Sequence, residues 1–181
     1  RVIRCCLPVM QQFPQLLMRF HVDDTAQRAL SLRQGLADFV VTTRDQVSAE
    51  MCSHPMPAEE YVLVASSQWR GRRLKEIVSQ ERIIDFDEGD QVTLNYLKQY
   101  ELYEAANSRR HFVNRTEQIA YLVSHGIGYS SLPKEFARPY VDRGELIVLN
   151  RARTHLVEPV LAWFDRPEPP AYFTAIIEAL R

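Results

Sequence analysis

Three short polar runs hold the side chains best suited to chemistry, and each directly follows an apolar stretch. Asn114-Arg115-Thr116 follows His111-Phe112-Val113, Asp87-Glu88-Gly89-Asp90 follows Ile83 to Phe86, and Thr42-Thr43-Arg44 follows Asp38 to Val41. Where an apolar strand ends and a helix begins, the first helical turn leaves backbone amides free for an anion. A cation there opposes the helix dipole by a few tenths of a kcal/mol, so Arg115 either helps hold an anion such as a ligand carboxylate or is simply a solvated arginine. In the acidic run, Asp87 or Glu88 could face the amino or guanidinium end of a cationic ligand, while Asp90 could simply cap the following helix. Thr42 and Thr43 could contact a ligand, or form a hydroxyl-rich turn that satisfies its own backbone. All of this is binding chemistry.

Catalytic and metal signatures are missing. No GxSxG elbow, phosphate loop, GxGxxG turn or HExxH pair occurs, and no nucleophile has an adjacent base. The five histidines lack ligand spacing, and the acidic run has neither the glycine position nor the downstream glutamate of a calcium loop. The reading is therefore no enzyme, no metal and no cofactor. Cys5, Cys6 and Cys52 form no CxxC pair and read as thiols of a reducing cytoplasm. With 22 basic and 23 acidic residues the formal charge is -1, which speaks against a nucleic-acid surface on this piece. The cluster Arg70, Arg72, Arg73 and Lys75 reads as a solvated loop. No apolar run is long enough to span a bilayer, and no signal-peptide pattern is present. Position 1 is Arg rather than Met, so a preceding segment is expected.

Periodicity supplies the elements that position these runs. Residues 111–133 read as strand, helix, glycine stop and strand, a parallel βαβ unit. In it Asn114 and Glu117 form a capping box, Ile119, Leu122 and Val123 share one helix face, and Gly126 takes a left-handed C′ position. A second βαβ unit is expected from a strand at 17–22, a helix carrying Ala29, Leu32 and Leu36, and a strand at 38–41. Residues 1–13 read as a helix with Ile3, Leu7 and Met10 on one side, broken or restarted at Pro8. Residues 45–59 read as irregular, 61–65 as a buried strand, 74–78 and 91–105 as helices, and 82–86 as a strand. Tyr96, Tyr100 and Tyr103 are assigned to structure rather than to a ligand. A helix over 133–141, strands at 146–149 and 157–164, a polar return at 150–155 and a terminal helix after Pro170 complete the chain.

Leu32-Arg33-Gln34-Gly35-Leu36-Ala37-Asp38-Phe39-Val40-Val41, Tyr61-Val62-Leu63-Val64, Leu122 to Pro133 and Gly144-Glu145-Leu146 resemble, in order and spacing, the effector-binding domain of LysR-type transcriptional regulators. The resemblance implies a two-lobed α/β fold like the type II periplasmic binding proteins, each lobe a mostly parallel sheet flanked by helices. Lobe I would comprise 1–66 and 156–181, and lobe II 67–155. It implies a small-molecule effector, an amino acid or organic acid, in the interlobe cleft, with contacts from Thr42, Thr43, the hinge residue Ser66, Asp87, Asn114, Arg115 and Thr116. Ile83-Ile84-Asp85-Phe86-Asp87, Phe112-Val113-Asn114 and Leu161-Ala162-Trp163-Phe164 look most like the branch that senses lysine and arginine and controls amino-acid export. A homodimer through antiparallel effector domains, using the helices at 1–13 and 133–141, and a tetramer of the full-length protein are further implications. The family's winged helix-turn-helix, its linker helix and the first strand with its loop are expected to lie outside this chain, so DNA would be bound only through them. A solute-binding protein of a transport system, with the same fold, is the alternative.

Overall fold

The computed structural model describes residues 1–181. Its helices are α1 (Val2–Gln12), α2 (Thr25–Arg33), α3 (Leu74–Gln80), α4 (Val92–Gln99), α5 (Thr116–Ser124), α6 (Lys134–Asp142) and α7 (Ala171–Ala179). Its strands are β1 (Val40–Thr42), β2 (Cys52–Pro55), β3 (Glu59–Ser66), β4 (Ile83–Asp85), β5 (Arg110–Phe112), β6 (Ser130–Pro133), β7 (Leu146–Val148), β8 (Thr154–Val157) and β9 (Val160–Trp163). The chain divides into two compact units, 1–58 with 158–181, and 59–157.

In the first unit β9 lies between β1 and β2, antiparallel to both. Successive β9 side chains point to opposite faces. Leu161 therefore joins the core formed with Cys6 and Val9 of α1 and Ile176 of α7, while Ala162 joins Ala29 and Leu32 of α2. One expectation fails here. Residues 17–22 join no sheet, and Leu17 is 95% exposed, so the βαβ unit is not formed. Alternating apolar residues make a strand only when a neighbour supplies the ladder, and β1 pairs with β9 alone. In α1 the buried side is Cys6 and Val9, with Ile3 and Leu7 about half exposed. That helix is apolar around much of its circumference, and packing on α7 selects the other stripe. Pro8 lies inside it without ending it; the position is exposed, so water can satisfy the carbonyl left without its amide. The expected irregular stretch at 45–59 contains β2, whose partner is again β9. Pro55 is tolerated because β2 is an edge strand.

The second unit is built on β3, buried on both faces. Val62 and Val64 pack toward α5 and α6, and Leu63 and Ala65 toward α3 and α4. β3 is antiparallel to β6 on one side and to β7 and β8 on the other. Beyond β6 the sheet continues in parallel: the Ile84 amide donates to the Tyr129 carbonyl at 2.9 Å, the Tyr129 amide to the Arg82 carbonyl at 3.0 Å, and β4 pairs in parallel with β5. The β5–α5–β6 crossover is thus present, with β4 inserted between its strands. A mostly parallel sheet is not what either unit shows: antiparallel pairing prevails, and the parallel part is confined to β5, β4 and β6. The polar return expected at 150–155 gives way to β8, which pairs with β3. Gly128 allows the backbone approach that closes this sheet, since a Cβ there would lie 2.4 Å from the Arg82 carbonyl oxygen. Gly126 adopts φ +72° and closes α5 with amide bonds from Gly126 and Ile127 to Val123 and Leu122. No helix is long and apolar enough to cross a membrane.

Candidate functional site

In the second unit β4 and β5 run side by side in the same direction, so the turns at their carboxyl ends are neighbours. The Val113 amide donates to the Asp85 carbonyl at 3.0 Å, which fixes the join. The structure therefore brings Asp87, two residues past β4, close in the fold to Asn114, Arg115 and Thr116, which follow β5. Asp87 and Thr116 are half-buried; Asn114, Arg115 and Glu88 are exposed. The N-cap of α5 is Arg115, whose carbonyl accepts from the Gln118 and Ile119 amides, both at 3.0 Å. The expected capping box is accordingly out of register, because Asn114 and Glu117 each stand one position too early relative to this cap. Arg115 is exposed at the start of α5, where the first helical amides lack intrahelical partners.

The acidic turn is braced internally. The Asp90 carboxylate accepts from the Phe86 amide at 3.2 Å and the Val92 amide at 2.9 Å; the N-cap of α4 is Gln91, one position later, so Asp90 braces the turn just before the helix. From β5, Arg110 donates through Nε to Asp85 Oδ2 at 2.7 Å and through Nη2 to the Asp90 carbonyl at 2.7 Å. Its remaining N–H groups reach the Asp87 and Glu88 carbonyls, each at 3.4 Å. Asp85 is 1% exposed, and Oδ1 has no partner. Burial pushes its carboxyl up to about 6; the neighbouring Thr93 hydroxyl and Arg110 guanidinium offset this only in part, and the Asp90 charge adds to the rise.

Asp85 and Arg110 escaped the sequence reading. The available signal was an acid inside the apolar run Ile83 to Phe86, which demands a buried counter-charge.

The remaining sequence-derived residues lie elsewhere. Thr42 ends β1 in the first unit and Thr43 follows it; Thr42 is buried with its hydroxyl unpaired, and Thr43 is exposed. Hydrogen bonds from the side chains of Thr43 and Gln46 hold the Asp45 carboxyl below its usual range. Ser66 ends β3 inside the second unit and is fully buried. Its hydroxyl donates to the Ser124 carbonyl at 2.9 Å and accepts from the Gln68 amide at 3.2 Å. The basic cluster is structural at Arg72, which pairs with Glu76 at 3.0 Å and Glu81 at 2.6 Å. Tyr96 donates to the Arg153 carbonyl, in keeping with its structural assignment. No group of three or more His, Cys, Asp or Glu is arranged to hold a metal.

The helices and sheets of the two units are those of an α/β domain of the type II periplasmic-binding-protein kind. The chain belongs to the LysR substrate binding domain family, which matches residues 6–181. Among solved structures it is similar to ArgP from Mycobacterium tuberculosis, with 18% identity and TM-score 0.78, covering 95% of this chain and 60% of that one. It is also similar to full-length LysG from Corynebacterium glutamicum with bound effector Arg, with 17% identity and TM-score 0.71, over 99% of this chain and 63% of that one. A third is the CcmR regulatory domain of Synechocystis PCC6803 in complex with 2-PG, with 14% identity and TM-score 0.75, over 99% of this chain and 88% of that one. The chain thus spans about 60% of the length of the first of these regulators. No curated protein matches its sequence.

Proposed function

We propose that this chain is the sensory domain of a cytoplasmic LysR-type transcriptional regulator, that its effector is a basic amino acid, and that it catalyses no reaction. One observation carries the reading: an acidic turn and a cationic helix start occupy adjacent carboxyl ends of β4 and β5. That arrangement suits a ligand with a carboxylate at one end and a cation at the other. Arg115 and the α5 amides take the carboxylate, Asn114 and Thr116 supply polar contacts, and Asp87 receives the basic side chain. LysG was solved with bound effector Arg, which supports the choice of ligand class. Thr42, Thr43 and Ser66 are proposed as further contacts, each tested by the same method.

Binding acts by shifting an equilibrium between domain states, and the ligand must favour one of them by about 1–3 kcal/mol. DNA is bound by a winged helix-turn-helix domain preceding this chain, and the regulated genes serve amino-acid export. Copies pair antiparallel, α1 of one against α6 of another, and full-length chains form tetramers. The half-exposed Ile3 and Leu7 of α1 support such an interface. Calorimetry with L-arginine and L-lysine tests the site. Arg115→Ala is expected to weaken binding several-fold or more with the fold intact, and unchanged affinity would remove Arg115 from it.

A further inference from the structure

We propose that Arg110 is a positioning residue for the effector turn: anchored on the buried Asp85 carboxylate, its guanidinium pins the acidic turn so that Asp87 and Asn114 hold one fixed spacing. This rests on the basic-effector reading for its consequence in binding, but not for the geometry itself.

Arg110 sits on β5, the strand that leads into Asn114 and Arg115, while its bonds are made to the turn that follows β4. One planar group therefore spans both halves of the candidate site. Its Nε–H is taken by Asp85, and the other N–H groups meet the carbonyls of Asp87, Glu88 and Asp90. The turn is also held by the Asp90 amide, which donates to the Asp87 carbonyl, and by the two bonds to the Asp90 carboxylate; Arg110 adds the tie from this turn to β5. A guanidinium is suited to this because its donors are fixed in one plane, whereas an ammonium is a point charge that cannot reach separated acceptors in fixed directions. The anchor is costly: Asp85 is buried with one carboxylate oxygen unpaired. A buried acid that anchors an arginine is what a supporting shell requires if ligand groups are to stay within a fraction of an ångström of a productive arrangement. Arg110 also lies over the Phe112 ring, 4.9 Å from its centroid, which restricts the side chain from the β5 side.

The test begins without effector. Amide hydrogen exchange is measured at Phe86, Asp90, Val92 and Val113 in the wild type, Arg110→Lys and Asp85→Asn. Exchange at these amides is expected to rise at least tenfold in both variants, while Leu63 and Val64 of β3 keep wild-type protection. Unchanged exchange at the turn would overturn the proposal, and so would an equal rise throughout the second unit, which marks a general loss of stability. L-arginine is then titrated. Arg110→Lys is expected to raise the Kd at least tenfold, and Asp87→Asn to cost less in that background than in the wild type, because a loosened turn no longer presents the carboxylate. Strict additivity would contradict the positioning role. If the wild type fails to bind L-arginine, the basic-effector reading falls, while the exchange result still decides whether Arg110 fixes the turn.

Discussion

Replacing Asp85 by Asn should remove a specific pH dependence of stability. The carboxyl is raised from 3.8 to about 6 in the folded chain, chiefly because it is buried. Below pH 4 it is protonated whether the chain is folded or not. Between pH 4 and 6 the unfolded chain has released the proton while the folded chain retains it, so stability falls as pH rises. The shift corresponds to about 3 kcal/mol, spent over that interval and constant above about pH 7. The assay is urea unfolding at half-unit pH steps, followed by the fluorescence of Trp69, which packs on the second unit's core. Subtracting the Asp85→Asn curve from the wild-type curve isolates this one group. The difference should decline by about 3 kcal/mol from pH 4 to 7. A difference that rises with pH would mean that the attraction of Arg110 at 2.7 Å outweighs burial, and would refute the electrostatic account of the turn.

Further outcomes follow from the packing. Gly128→Ala places a methyl 2.4 Å from the Arg82 carbonyl oxygen and 2.9 Å from Ile84 Cγ1, and should destabilise the second unit by about 2–4 kcal/mol in urea unfolding; a wild-type midpoint would show that the sheet can open there. Asn150, Arg151 and Ala152 all have left-handed backbone, with φ of 51°, 55° and 57°. Arg151→Gly should therefore stabilise the second unit by about 1 kcal/mol, read as a higher urea midpoint, and a lower midpoint would contradict the strain. Tyr96→Phe removes a hydroxyl that donates to the Arg153 carbonyl at 3.0 Å and accepts from the Asn150 amide nitrogen at 3.1 Å. The expected cost is about 1–2 kcal/mol by the same method, and no loss would mean that water replaces the hydroxyl.

Much of the second unit was legible because its local signals agree with its tertiary pairing. The apolar run of β3, the glycine stop at Gly126 and the close approach at Gly128 each have a physical cause that the residue type reveals. The first unit was less legible. Residues 17–22 carry strand residues but lack a neighbour, whereas Cys52 to Pro55 lack strand residues and become β2 because β9 offers a ladder. Pairing partners far apart in sequence are invisible to periodicity, and so was the choice of buried stripe on α1. At the candidate site the polar runs were visible, since polar residues after apolar strands stand out. The Arg110–Asp85 brace was not, because it depends on the β4–β5 register that places Ile83 opposite Arg110.

Whether the domain senses a basic amino acid is decided by a thermal-shift panel on the purified chain. L-arginine, L-lysine, aromatic amino acids and dicarboxylic acids are each supplied at increasing concentration. A shift that grows with the logarithm of L-arginine or L-lysine concentration is expected, reaching about 2.7 kcal/mol of stabilisation at a hundred times the dissociation constant. A shift with dicarboxylic or aromatic acids and none with the basic amino acids would contradict the basic-effector reading.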